Sequence, residues 1–127
     1  MLGLILDADA IAAYARGSLR VGREVSRVAE QEGDVFVPSL CLAEAYRLAE
    51  GRQHDYLAVL ASHPHVTVIP LEEPGCWVVG GFAKRIGSLH LAQATAETGA
   101  RPTITLLTAH RDRVTEHLPK EWPIIDL

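Results

Sequence analysis

At 127 residues the chain has the length of one domain, residues 1–127, with room for a core that needs no disulfide or metal staple. Its 48% hydrophobic and 22% charged residues are ordinary for a soluble globular protein, and no apolar run approaches a membrane span. The net charge of -4 argues against a strongly basic nucleic-acid binder. Cys41 and Cys76 form no CxxC pair, which argues against a zinc knuckle or disulfide framework. The start carries no basic segment followed by a long apolar one, so the expected location is cytoplasmic.

Leu4, Ile5 and Leu6 are a short apolar run that stops at Asp7, where a helical pattern begins (Ile11, Ala12, Tyr14, Ala15). Such a run predicts a strand buried on both faces, as in a parallel sheet. Asp7 then stands at the strand's carboxyl end, where ligands bind in open α/β sheets. Asp7 or Asp9 is equally suited to capping the helix that follows. After Gly17-Ser18, residues Leu19 to Gln31 read as an amphipathic helix with Val21, Val25 and Val28 inward. Arg16, Arg20, Arg23 and Arg27 recur at spacings of three or four. They form either a solvated face or a basic stripe that guides RNA or an acidic partner.

Val35 to Val37 predicts a second buried strand, Ser39 a helix N-cap, and Leu40 to Glu50 a helix closed by Gly51. Glu44, among apolar neighbours near the start of that helix, falls at the same sheet edge as Asp7. His54 to Ser62 reads as a helix, His63-Pro64-His65 as a turn and Val66 to Ile69 as a third strand. Glu72-Glu73-Pro74 opens a helix over Cys76 to Ile86 that Gly80-Gly81 should weaken. Leu89 to Thr98 is the next helix, Thr103 to Thr108 the fourth strand, and Trp122 to Asp126 the last. This alternation predicts a three-layer α/β/α domain with a mostly parallel sheet, and right-handed crossovers put all carboxyl ends on one edge. Asp7, Glu44 and the loop carrying His110 and Asp112 meet there. GxGxxG and P-loop motifs are missing, which argues against nucleotide binding in the usual manner.

Carboxylates gathered at one cleft repel unless they share a proton or a cation, and hard oxygen donors favour Mg²⁺ or Mn²⁺. The order of acids resembles that of PIN domains, the small metal-dependent ribonucleases of VapBC-type toxin–antitoxin pairs. Leu4-Ile-Leu-Asp-Ala-Asp-Ala-Ile11 resembles their opening strand with its first acid, Asp7. Val37-Pro-Ser39 with Ala43-Glu44-Ala45 resembles the segment of the second acid. Ala92 to Ala100, Leu106-Leu-Thr-Ala109 and Ile124 to Leu127 resemble the later helix and strands.

The resemblance implies a PIN-like fold and a divalent-metal-dependent endoribonuclease in which metal-activated water attacks an RNA phosphodiester. It implies Asp7 and Glu44 as metal ligands and Asp112 as a supporting one, an antitoxin protein as a partner, and a homodimer. The sequence departs from the pattern at two acids. The helix through Ala92 opens Gly87-Ser-Leu-His90, so Ser88 or His90 stands in place of the third, and His110 replaces the fourth. Histidine at this edge would favour Mn²⁺, Zn²⁺ or Ni²⁺. The alternative is a catalytically weak or inactive PIN-like binding module whose output is a protein complex. A phosphorylatable receiver domain would need a lysine after a late strand, and Lys84 and Lys120 are badly placed for it.

Overall fold

A computed structural model describes residues 2–127. Five strands form one all-parallel sheet in the order β3-β2-β1-β4-β5: β1 (Gly3–Leu6), β2 (Asp34–Pro38), β3 (Val66–Ile69), β4 (Thr105–Thr108) and β5 (Ile124–Asp126). The helices are α1 (Ala8–Ala15), α2 (Leu19–Glu30), α3 (Ser39–Leu48), α4 (Gln53–Ala61), α5 (Glu73–Ile86), α6 (Leu89–Gly99) and α7 (Arg111–Val114), with a 3-10 turn at Thr115–His117. This is a three-layer α/β/α domain. Among the described residues no helix is long and apolar enough to cross a membrane.

Strand alternation divides the core. Leu4, Leu6, Val35, Val37 and Leu107 face one side, under α1 to α4. Ile5, Phe36, Leu106 and Ile124 face the other, under α5 to α7. The central strands β1 and β4 are therefore apolar at successive positions, because both their faces are covered. Leu4, Ile5 and Leu6 are each at most 1% exposed, and burying one such side chain stabilises by about 1.5–3 kcal/mol.

Local chemistry explains where elements begin and end. Ser18 caps α2 by accepting the Val21 N–H, and Ser88 caps α6 by accepting the Leu91 N–H. Ser39 does not cap α3, contrary to expectation; it is the first helical residue after Pro38. The task falls to Gln93 of α6, fully buried, whose Oε1 accepts the Leu40 N–H at 2.8 Å while its Nε2 donates to Ser39 Oγ and the Ile69 carbonyl. β4 begins two residues later than expected because Thr103 takes a φ of 66° in the preceding turn. β5 likewise starts after Pro123, which lacks the N–H that a ladder needs. Gly33 is required by contact: a Cβ there would stand 2.3 Å from the Leu2 carbonyl oxygen and 2.9 Å from Val28 Cγ1.

α5 runs unbroken through Gly80 and Gly81, although each glycine costs about 1 kcal/mol relative to alanine in a helix interior. Packing of Val79 and Ile86 into the second core holds it.

Candidate metal centre

The parallel register of β1 and β4 builds the site. Leu6 lies opposite Leu107, so Asp7 and Thr108 emerge side by side at the carboxyl ends of these strands. Thr108 Oγ1 donates to Asp7 Oδ2 at 2.6 Å across 101 residues of sequence. Two residues beyond each of these positions, at the same offset of 101, His110 Nε2 lies 2.5 Å from Asp9 Oδ2. One register thus produces both contacts.

Asp7 does two jobs. Its Oδ1 accepts the Ala10 N–H at 2.9 Å and so caps α1. Its Oδ2 accepts the Thr108 hydroxyl and the Ala109 N–H. Thr108 is itself oriented, because Oγ1 also accepts the His110 N–H at 2.9 Å. Asp7 is 1% exposed, and this burial pushes its carboxyl above the usual range. The hydrogen bond from Thr108 opposes that rise, and the nearby charge of Asp9 adds to it. Asp9 and His110 are partly open to solvent. One donor atom from each of Asp7, Asp9 and His110 lies within 4.8 Å of the other two. Two carboxylate oxygens and an imidazole nitrogen at that spacing fit a divalent transition ion better than Mg²⁺, which wants oxygen donors in octahedral order.

The carboxyl end of β2 is arranged differently. α3 carries Cys41 and, one turn later, Glu44. Cys41 is buried and donates its thiol to the His90 carbonyl at 3.1 Å. Burial, then the charge of Asp7, pushes that thiol far up, so it is no nucleophile. Glu44 is clamped in two-pronged fashion by Arg47: Nε to Oε1 at 2.7 Å and Nη2 to Oε2 at 2.6 Å. This holds its carboxyl below the usual range, with a smaller contribution from the charge of His90. His90 Nδ1 is buried without a hydrogen-bond partner among the described residues.

Of the residues expected from the sequence, the structure therefore joins Asp7 and His110. It does not bring Glu44, His90 or Asp112 into the donor cluster. Asp112 is exposed in the first turn of α7 and lines a depression of about 410 Å³ with Thr108, His110 and Asp126. Ser88, standing where an acid was expected, is used as the α6 cap. Of the four arginines, Arg20, Arg23 and Arg27 lie on α2 and Arg16 at the end of α1. Arg16 lines a cavity of about 580 Å³ with Tyr14, Arg52 and Tyr56, while Arg23 and Arg27 border a neighbouring groove where Arg27 pairs with Glu24. Arg20 instead acts on Asp126, which Arg111 pairs at 2.8 Å.

Sequence reasoning missed Asp9 and Thr108. Their signal is the matched spacing of Asp7-x-Asp9 and Thr108-x-His110, which becomes visible only once β1 is paired with β4. The loop is fixed from a further side by Arg113, whose guanidinium donates to the Ile86 carbonyl at the end of α5. No protein-family model matches this chain, and no curated protein matches it.

Proposed function

We propose that this chain is a divalent-metal-dependent endoribonuclease of the toxin type, as its resemblance to PIN domains implies. The observation that carries the reading is the convergence of Asp7, Asp9 and His110 at the carboxyl ends of β1 and β4. A buried carboxylate beside a second carboxylate is an electrostatic cost that a bound cation offsets. Asp7 would be the anchoring ligand, held by Thr108 and the α1 N-terminus; Asp9 and His110 would complete the donor set. A bound cation there would supply a water of lowered pKa and a counter-charge for the phosphodiester. With Asp9 and His110 partly exposed, an RNA strand can reach the donors from solvent. A small antitoxin protein as partner and a cytoplasmic location belong to the same reading.

One observation favours a second reading, a binding module of weak or no activity. The bidentate hold of Arg47 on Glu44 withdraws the carboxylate that would face Asp7 across the cleft. A single experiment separates the two: incubate the purified chain with single-stranded and hairpin RNAs under Mg²⁺, Mn²⁺ or Zn²⁺, and score cleavage and retention on a filter. Cleavage that needs metal and falls by about two orders of magnitude or more in Asp7→Asn supports the nuclease. Retention without cleavage supports the module. The absence of cleavage, of retention and of any metal-dependent change in melting temperature would remove both from consideration.

A further inference from the structure

At the far end of α1 from Asp7 the chain builds a second polar site, and we infer that it binds a nucleoside monophosphate. The eight residues of α1 rise about 12 Å, so this site is separate from the donors at the sheet's carboxyl edge. It is the cavity of about 580 Å³ between the α1–α2 and α3–α4 turns, a volume in the range of small-molecule pockets.

Two turns bring the charges together. Gly17, with a φ of 86°, leads from α1 into α2, and Gly51, with a φ of 54°, leads from α3 into α4. Each glycine has an arginine beside it, Arg16 and Arg52, and both arginines line the cavity. Among the described residues neither has an ion-pair partner. Two guanidiniums at one cavity repel, a cost that a bound anion offsets.

The neutral groups around them are donors as well. Ser18 Oγ accepts the Val21 N–H, which leaves its hydroxyl proton to donate. Gln53 Oε1 accepts the Glu50 N–H, which leaves the Nε2 hydrogens. Tyr14 and Tyr56 add phenol hydroxyls and ring surface, and Tyr56 is 49% exposed. A phosphate supplies oxygens for these donors and charge for the guanidiniums. Glu50 is the one acid lining the cavity, and among the described residues it too has no ion-pair partner. It repels a bare phosphate. A nucleotide's base can instead give it N–H groups, and guanine presents two adjacent ones to a single carboxylate.

Gly22 keeps the space open. It is the fourth residue of α2, where glycine weakens the helix, and a Cβ there would meet nothing within 4 Å. Packing does not require this glycine; the cavity, which it lines, does. This inference does not depend on the nuclease reading.

The test is calorimetric titration of the chain with GMP, guanosine and inorganic phosphate, with metal chelated so that the Asp7 site plays no part. GMP is expected to bind at least about tenfold more tightly than either fragment. Arg52→Ala should weaken GMP by about tenfold or more, because one charge-assisted contact is lost. Gly22→Leu should raise the melting temperature and still weaken GMP, which separates filling of the cavity from damage to the fold. Glu50→Gln has an opposite sign for the two anions: GMP binds more weakly and inorganic phosphate more tightly. A 5′-phosphorylated RNA beginning with guanosine, compared with its 5′-hydroxyl form, tells whether the nucleotide is taken free or as the first residue of a strand, and either result upholds the site. GMP that fails to bind at millimolar concentration, binds no tighter than phosphate, or is indifferent to Arg52→Ala and Gly22→Leu overturns the inference.

Discussion

The two flanks of the sheet's carboxyl edge, β1–β4 and β2–α3, start from similar parts and finish in different states. Each offers a carboxylate shortly beyond a strand's carboxyl end and a histidine from another element. On the β1–β4 flank, direct strand pairing aligns Asp7 with Thr108 and Asp9 with His110. On the β2–α3 flank no strand register connects Glu44 to His90; they sit on two helices, and Glu44 closes a local pair with Arg47. Arg47, three residues on, offers the part-buried Glu44 a local partner, whereas the ladder fixes Asp7 beside Thr108. Strand register is thus the stronger device for converging donors.

The largest expected effect tests whether these flanks are separate. Mn²⁺ at a hundredfold excess over its Kd should stabilise the chain by about 2.7 kcal/mol. Asp7→Asn should remove that gain, and Glu44→Gln should leave most of it. Equal loss in both variants, read from melting curves, would mean that the flanks act as one site.

A second expected effect falls on the β2–α3 flank alone. Gln93→Leu fills the volume but leaves the Leu40 N–H unpaired at the part-buried start of α3, a loss of about 1–3 kcal/mol in denaturant unfolding. Metal-linked stabilisation should persist in this variant. Its disappearance would show that α3 positions the β1–β4 donors after all.

A pH comparison follows, with metal chelated. Burial raises the folded pKa of Asp7 above its ordinary value of 3.8. Between those two values the folded chain holds a proton that the unfolded chain has released. Stability from this group is therefore present below about pH 3.8 and lost as pH rises through the folded pKa. Wild type should lose stability relative to Asp7→Asn over that window and run parallel to it above. Parallel curves at every pH would show that burial does not strain Asp7.

Much of the fold was legible because apolar runs and helical stripes carry it directly: Leu4 to Leu6, Val35 to Val37, and Val21, Val25 and Val28 all fall where their periodicity put them. The strand boundaries at Thr103 and Trp122 were less so, since a positive φ and a proline act on single residues that patterns average over. The candidate site was half legible. Position after a strand found Asp7, and the strand-four loop found His110. Asp9 looked like an ordinary first-turn acid until the β1–β4 register supplied its partner. Glu44 illustrates the opposite limit: its place in the sequence gives the sheet edge, but the competition between a cleft and Arg47 is decided by side-chain reach. The α6 cap by Ser88 and the remote capping of α3 by Gln93 are likewise tertiary facts, with no local signature.

The smallest effect asks whether the second flank is held in reserve. Arg47 both neutralises Glu44 and adds a positive charge near the cleft. Arg47→Ala frees the carboxylate and removes that charge, so each change favours a cation between the flanks. The pair is solvent-exposed on the Arg47 side, and such pairs are weak. The gain in Mn²⁺ affinity should therefore be modest, about two- to fivefold by calorimetric titration. The gain has a specific signature. It should vanish in Arg47→Ala combined with Glu44→Gln, because the coupling runs through that carboxylate. If the double variant keeps the tighter binding, the effect is only long-range charge, and it should then fade at high salt. If Arg47→Ala binds metal no better than wild type, Glu44 cannot reach the Asp7 side, and the donor set is complete with Asp7, Asp9 and His110.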